Sequence, residues 1–229
     1  MKAHLITPTN NLVSSLTFYQ SLRFKVLSEN DPTVVTDGKV IVEIDPNRFV
    51  RPGIKVYTDT SDGVVEELRT LTTVLPTDSG HLLQDPTGTT IYLADQPCPF
   101  DLQEDVSTSS ILGNFAGISL ETVDPEKTIQ LYKALGFNKV TGDITQGWIT
   151  LTNNDGLAMS IMKINTCPHL FFNPSFTYFN GGNNLAVIEK VRQANIPINE
   201  EITHFNSEGV VDNIIIRDPG GFGFFVFND

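Results

Sequence analysis

Along the chain, short apolar or alternating runs are separated by glycine- and asparagine-rich breaks, and helical spacing is confined to a few stretches. The second half shows the code most clearly. Ala116 to Thr122 reads as a strand, and Asp124 then offers a helix N-cap, with Pro125 suited to the first helical position and Glu126 beside the positive helix end. Leu131 and Leu135 follow at i, i+4 spacing, and Gly136 stands where a left-handed residue would end the helix. Three strands are predicted next, over residues 137–141, 148–152 and 157–164, with Asn153-Asn154-Asp155-Gly156 as a hairpin turn. The unit is βαβββ.

A second such unit follows, with a strand over 176–179, a helix over 184–194 and a terminal hairpin turning at Asp218-Pro219-Gly220-Gly221. The first half repeats the order, with helices near 12–22 and 64–71. Two motifs mark the duplication. Phe18-Tyr19-Gln20-Ser21-Leu22-Arg23-Phe24 returns as Leu131-Tyr132-Lys133-Ala134-Leu135-Gly136-Phe137, and Asp85-Pro86-Thr87-Gly88 returns as Asp218-Pro219-Gly220-Gly221. Between the halves, Pro97 to Gly113 is proline-bearing and then acidic and serine-rich, as an exposed linker is. The expected organisation is α+β, with four βαβββ units making one domain over residues 1–96 and another over 114–229.

This repeated series resembles the glyoxalase/bleomycin-resistance/dioxygenase, or vicinal oxygen chelate, superfamily. The resemblance covers nearly the whole chain outside the linker. It implies curved mixed sheets, each cupped around a cleft, and a metal held by His/Gln, Glu, His and Glu from the first and last strands of paired units. Fold does not settle chemistry, since members include lyases, isomerases, dioxygenases, thiol transferases and drug-sequestering proteins.

Carried over residue by residue, the implied ligand set is incomplete. In the first domain His4 and Glu43 match the first two positions, whereas Gly53 and Tyr92 fall at the other two. His81 is the other histidine nearby in sequence, and Lys55 is the expected partner of Glu43 if no metal is present. In the second domain the matching residues are Gly117, Ser160, Phe176 or its neighbour Ser175, and Phe225, none of which suits a transition metal. The expected cofactor is therefore none, with a divalent metal in the first domain as the alternative.

What remains in the second cleft is aromatic. Period-two alternation puts Ser119 and Glu121 on the face of Gly117, with Phe176 and Tyr178 opposite, Phe225 and Phe227 on the last strand, and Trp148 and Met162 nearby. Such a concavity suits a small apolar or aromatic molecule, anchored by Glu121.

Composition narrows the partners. The 229 residues are 40% hydrophobic, enough to fill ordinary cores. A formal charge of -12 argues against nucleic acid or an anionic membrane surface, both of which need basic footprints. No signal-peptide pattern or spanning apolar run is visible, and two cysteines, Cys98 and Cys167, are too few for a disulfide framework. A cytoplasmic protein with reduced thiols is expected. No phosphate-binding glycine loop, nucleophile elbow or C-x-x-C pair occurs, and Cys167-Pro168-His169 is too compact in sequence to mark a nucleophile with its base. The expected function is small-molecule binding in a degenerate metal site. The alternatives are a metal-dependent lyase or dioxygenase using His4 and Glu43, and an assembly module; a homodimer fits any of them.

Overall fold

The structure, a computed structural model, describes residues 1–59, 62–100, 102, 109–169 and 172–228. Residues 101 and 103–108 of the expected linker lie outside the described ones.

Four βαβββ units follow one another. The first comprises β1 (Lys2–Pro8), α1 (Leu12–Ser21), β2 (Lys25–Ser28), β3 (Thr33–Thr36) and β4 (Ile41–Asp45). The second comprises β5 (Gly53–Thr58), α2 (Asp62–Leu71), β6 (Val74–Thr77), β7 (Gly80–Gln84) and β8 (Thr90–Asp95). β9 (Phe115–Thr122), α3 (Pro125–Ala134), β10 (Asn138–Asp143), β11 (Trp148–Thr152) and β12 (Ala158–Lys163) make the third. The last is β13 (Ser175–Phe179), α4 (Asn184–Gln193), β14 (Ile198–Ile202), β15 (Asn213–Arg217) and β16 (Gly223–Phe227).

The units pair into two open eight-stranded sheets, β2-β3-β4-β1-β5-β8-β7-β6 and β10-β11-β12-β9-β13-β16-β15-β14. Both are mixed. β1 runs parallel to β4 and β5 to β8, while β1 and β5 meet antiparallel, so two units are joined about a local twofold. That junction decides the site, because it sets His4 opposite Lys55.

Local chemistry explains the helix ends. Asp124 caps α3 by accepting from the Lys127 amide at 3.1 Å, and Gly136 takes a φ of 84° just beyond it. Asn11 caps α1 in the same way, accepting from Ser14 at 3.1 Å. Among the described residues no helix is long and apolar enough to cross a membrane.

One face of each sheet feeds a single continuous core. Leu5, Val42, Ile54 and Leu93 of the first sheet share it with Ile118, Leu120, Phe176 and Phe224 of the second, and the helices contribute Tyr19, Leu68, Leu131 and Val191. The duplicated motifs prove to be the cross-links of this core. Tyr19 of α1 donates to Asp218 Oδ2 of the second half at 2.9 Å, and Tyr132 of α3 donates to Asp85 Oδ2 of the first at 2.8 Å. Each half thus closes on the other half's Asp-Pro turn.

Asp218 also accepts from Thr7 Oγ1 at 2.7 Å and from the Gly221 and Phe222 amides at 2.6 and 2.7 Å. The second copy of the turn needs glycine, since a Cβ at Gly220 would lie 2.0 Å from Thr7 Oγ1 and 2.3 Å from the Pro8 carbonyl. Burial pushes the Asp85 and Asp218 carboxyls above their ordinary range, against the donors that favour the charged form. It pushes the two tyrosines well up as well.

Candidate functional site

The faces turned away from the shared core carry the polar residues. On β1, Leu5 enters the core, so its neighbour His4 projects to the other side; Glu43 on β4 and Lys55 on β5 share that side. His4 and Glu43 are only 3% and 2% exposed, so every polar atom there needs a partner.

The partners are present. His4 Nδ1 donates to Glu43 Oε1 at 3.2 Å, Lys55 Nζ donates to Glu43 Oε2 at 2.8 Å, and the Tyr57 hydroxyl donates to Glu43 Oε1. On the far side of the imidazole, His4 Nε2 lies 3.0 Å from Cys98 Sγ, which is also 3.1 Å from the Phe100 carbonyl oxygen. Burial works against the His4 imidazolium, but its hydrogen bonds with Cys98 and Glu43 outweigh that and hold His4 above its ordinary value. Burial likewise opposes the Glu43 carboxylate, yet His4, Lys55 and Tyr57 together hold it below the usual range. Tyr57, buried beside that carboxylate, is pushed up.

This donor set does not fit a metal. Glu43 and Cys98 bond opposite nitrogens of one ring, so they point to no common centre around His4. The third ligand position belongs to Lys55 rather than Gly53. The β1–β5 register puts Gly53 opposite Ile6 and Lys55 opposite His4, which corrects the alignment made on sequence. An ammonium bonded to the carboxylate supplies the positive charge at that place and would repel a divalent ion. The same register moves the fourth position from Tyr92 to Ala94, which has no donor, and Tyr92 accepts from the Arg51 amide at 2.8 Å. His81 cannot join, because it stands opposite Leu93, whose side chain lies in the core on the other side of the sheet. Among the described residues no group of three or more His, Cys, Asp or Glu is arranged to hold a metal ion.

In the second domain the counterpart of His4 is Gly117, at a φ of 131°, where a Cβ would lie 2.4 Å from the Ala158 carbonyl. No side chain fits there. Thr177 faces Gly117 across the ladder, as Lys55 faces His4, and its hydroxyl is 2.7 Å from Ser119 Oγ. Ser160 and Thr150 pair at 3.1 Å. These hydroxyls satisfy one another.

The aromatic set expected to line this second cleft is divided by the sheet. Phe176 and Tyr178 lie in the shared core, which corrects their assignment to a pocket: Phe176 stacks on Phe224 at 4.3 Å, and Tyr178 donates to Asp37 Oδ2 of the first half at 3.0 Å. Phe225 and Phe227 are on the other face, stacked at 5.3 Å, with Phe225 packed among Ile202, Ile215 and Phe172 in a separate buried cluster. Trp148 pairs in register with Met162 and is 40% exposed. Its ring lies against Gly142, where a Cβ would be 2.7 Å from it. Glu121 is occupied as well, accepting from the Asn165 and Cys167 amides at 3.2 and 2.7 Å, so it clamps a loop.

The open space is elsewhere. A cleft of about 700 Å³ lies between the two domains, walled by Ala3, His4 and Ile41 from the first, Phe115, Gly117 and residues 154–158 from the second, and Phe100 and Leu102 between them. Of the candidate site residues read from sequence, His4 and Gly117 reach it. Cys98, Phe100 and Phe115 were not legible as site residues, since nothing local in the sequence brings Cys98 to a histidine 94 positions away.

No protein-family model and no curated protein matches the chain. Solved structures do. A homoprotocatechuate 2,3-dioxygenase variant from B. fuscum, solved in complex with HPCA, aligns with a TM-score of 0.57 at 13% identity, over 99% of this chain and 70% of that one. The 2,3-dioxygenase LapB from a Pseudomonas species gives 0.56 at 16% identity, over 97% and 89% of the two chains. A 2,2',3-trihydroxybiphenyl 1,2-dioxygenase from Sphingomonas wittichii gives 0.53 at 16%, over 99% and 91%. The chain therefore has the tandem βαβββ fold of these dioxygenases, which is the fold of the vicinal oxygen chelate superfamily that its repeated motifs resemble.

Proposed function

We propose that this protein is a metal-independent small-molecule binder of the vicinal oxygen chelate fold, dividing into domains at residues 97–113 and taking its ligand in the cleft between them. One observation carries the reading: Lys55 and Tyr57 saturate Glu43, the carboxylate that a metal would need. The cleft beside it, with Phe100 and Phe115 on its walls and the buried His4 in its lining, suits a compact molecule that is partly aromatic. Domain junctions are common places for such sites.

Thermal shift against a panel of phenols, catechols and aromatic acids, run in parallel with a chelator and with added ferrous iron, tests this. A ligand at about 100 times its Kd adds roughly 2.7 kcal/mol to the folded state. For a chain of this size that is a rise in Tm of about 5–10 °C. Ala116→Trp, which fills the cleft from an exposed position, is expected to abolish the shift. The dioxygenase reading draws support from the similar structures; a shift with catechols that needs ferrous iron would favour it and contradict ours.

A further inference from the structure

One cluster has no part in the reading above: the thiol of Cys98 on the imidazole of His4. Cys98 Sγ, His4 and Glu43 form a line, with Sγ 3.0 Å from Nε2 and Nδ1 3.2 Å from Oε1. The carboxylate fixes the tautomer, because Nδ1–H donates to it and leaves Nε2 free to take a proton. Lys55 and Tyr57 in turn fix the carboxylate. A nucleophile, a base beside it and a third group orienting the base are what an activated thiol requires.

Location supports the same conclusion. Cys98 is partly exposed, and His4 and Phe100, both of which it contacts, line the cleft. Cys167 offers an internal contrast. Burial pushes its thiol up, and the nearby Glu121 and Glu200 carboxylates add to that, opposing a thiolate.

We propose that Cys98, His4 and Glu43 form a thiol–imidazole–carboxylate relay that makes Cys98 a nucleophile toward soft carbon electrophiles, such as activated alkenes, entering the cleft. In the resting protein the Phe100 carbonyl competes for the thiol hydrogen from 3.1 Å, so the S–H must turn to the ring before it transfers. The proton then passes from Sγ to Nε2, and Sγ bonds to the alkene's β-carbon. The π pair moves to the α-carbon, which recovers the proton from Nε2. The product is a thioether, and no oxidant or reductant is used. The inference rests on the cleft reading for the electrophile's route, but a small alkylating probe tests the thiol without any natural ligand.

Iodoacetamide serves as that probe, since it forms the S–C bond with loss of iodide. Alkylation of the two cysteines in the intact protein is followed by mass spectrometry at about pH 7. Cys98 is expected to react at least about tenfold faster than Cys167. His4→Gln should remove the rate advantage, while Cys167→Ser leaves the Cys98 rate unchanged. If His4→Gln does not fold, the ratio of the two rates in the wild type decides alone. Alkylation of Cys98 no faster than that of Cys167 overturns the proposal whether or not a cleft ligand is ever found.

Discussion

Replacing Asp218 with alanine is expected to lower the unfolding free energy by about 3–5 kcal/mol, a large part of what a domain of ordinary stability possesses. Asp218 is 4% exposed and accepts four hydrogen bonds, two from side chains of the first half and two from its own turn. Alanine leaves two hydroxyls and the Phe222 amide without an acceptor, and the Gly221 amide with only the turn's own 3.3 Å bond to the residue 218 carbonyl, in a place where each unmade bond costs about 1–3 kcal/mol, less what water recovers. Tyr19→Phe is the graded control. It removes one donor and leaves Asp218 three others, so about 1–2 kcal/mol is expected. Urea unfolding measures both. Asp218→Ala within about 1 kcal/mol of wild type would show that the Asp-Pro turns are ordinary surface turns and not cross-links between the halves.

Glu43→Ala should be nearly as costly, about 3–5 kcal/mol, because it strands Lys55, the Tyr57 hydroxyl and His4 Nδ1 in a buried site at once. Its pH signature identifies the cause. Glu43 is held below its unfolded value of 4.5, so its contribution is present above pH 4.5 and is lost as pH falls through the lowered folded value. His4 is held above its unfolded value of 6.5, so its contribution is complete below pH 6.5 and is lost as pH rises through the raised folded value. The stability difference between wild type and Glu43→Ala should therefore be greatest between about pH 4.5 and 6.5 and shrink on either side. Taking the difference removes the opposite trend from Asp85 and Asp218, whose raised values favour the fold at low pH. A difference that is flat from pH 4 to 9 would mean that Glu43 acts only by filling space.

How the fold came to be legible follows from these same residues. The helix boundaries were written locally, in Asp124, Pro125 and Gly136, and the duplication in the Tyr19 and Asp85 motifs and their repeats, so four βαβββ units could be read without any long-range information. What those motifs do could not be read. Tyr19 meets Asp218 and Tyr132 meets Asp85 across 199 and 47 positions, and no local pattern announces such an exchange. The site was legible in part for the same reason. His4 and Glu43 stand on the strands that the repeat assigned, but counting along β5 gave Gly53, whereas the antiparallel register with β1 gives Lys55. A shift of two residues keeps the face and changes the chemistry from an absent ligand to a present cation. Phe176 and Tyr178 failed differently. Alternation separates the two faces of a strand without saying which one meets the core, and here the core face is shared by two sheets.

The most direct test of a lysine-filled centre is metal binding by the purified, chelator-treated protein, measured by calorimetric titration with ferrous iron and with zinc and checked by elemental analysis. With Lys55 on Glu43 and Cys98 on the far nitrogen of His4, neither ion should bind stoichiometrically, and His4→Ala should change nothing in either titration. One equivalent of iron or zinc per chain, lost in His4→Ala, would contradict it.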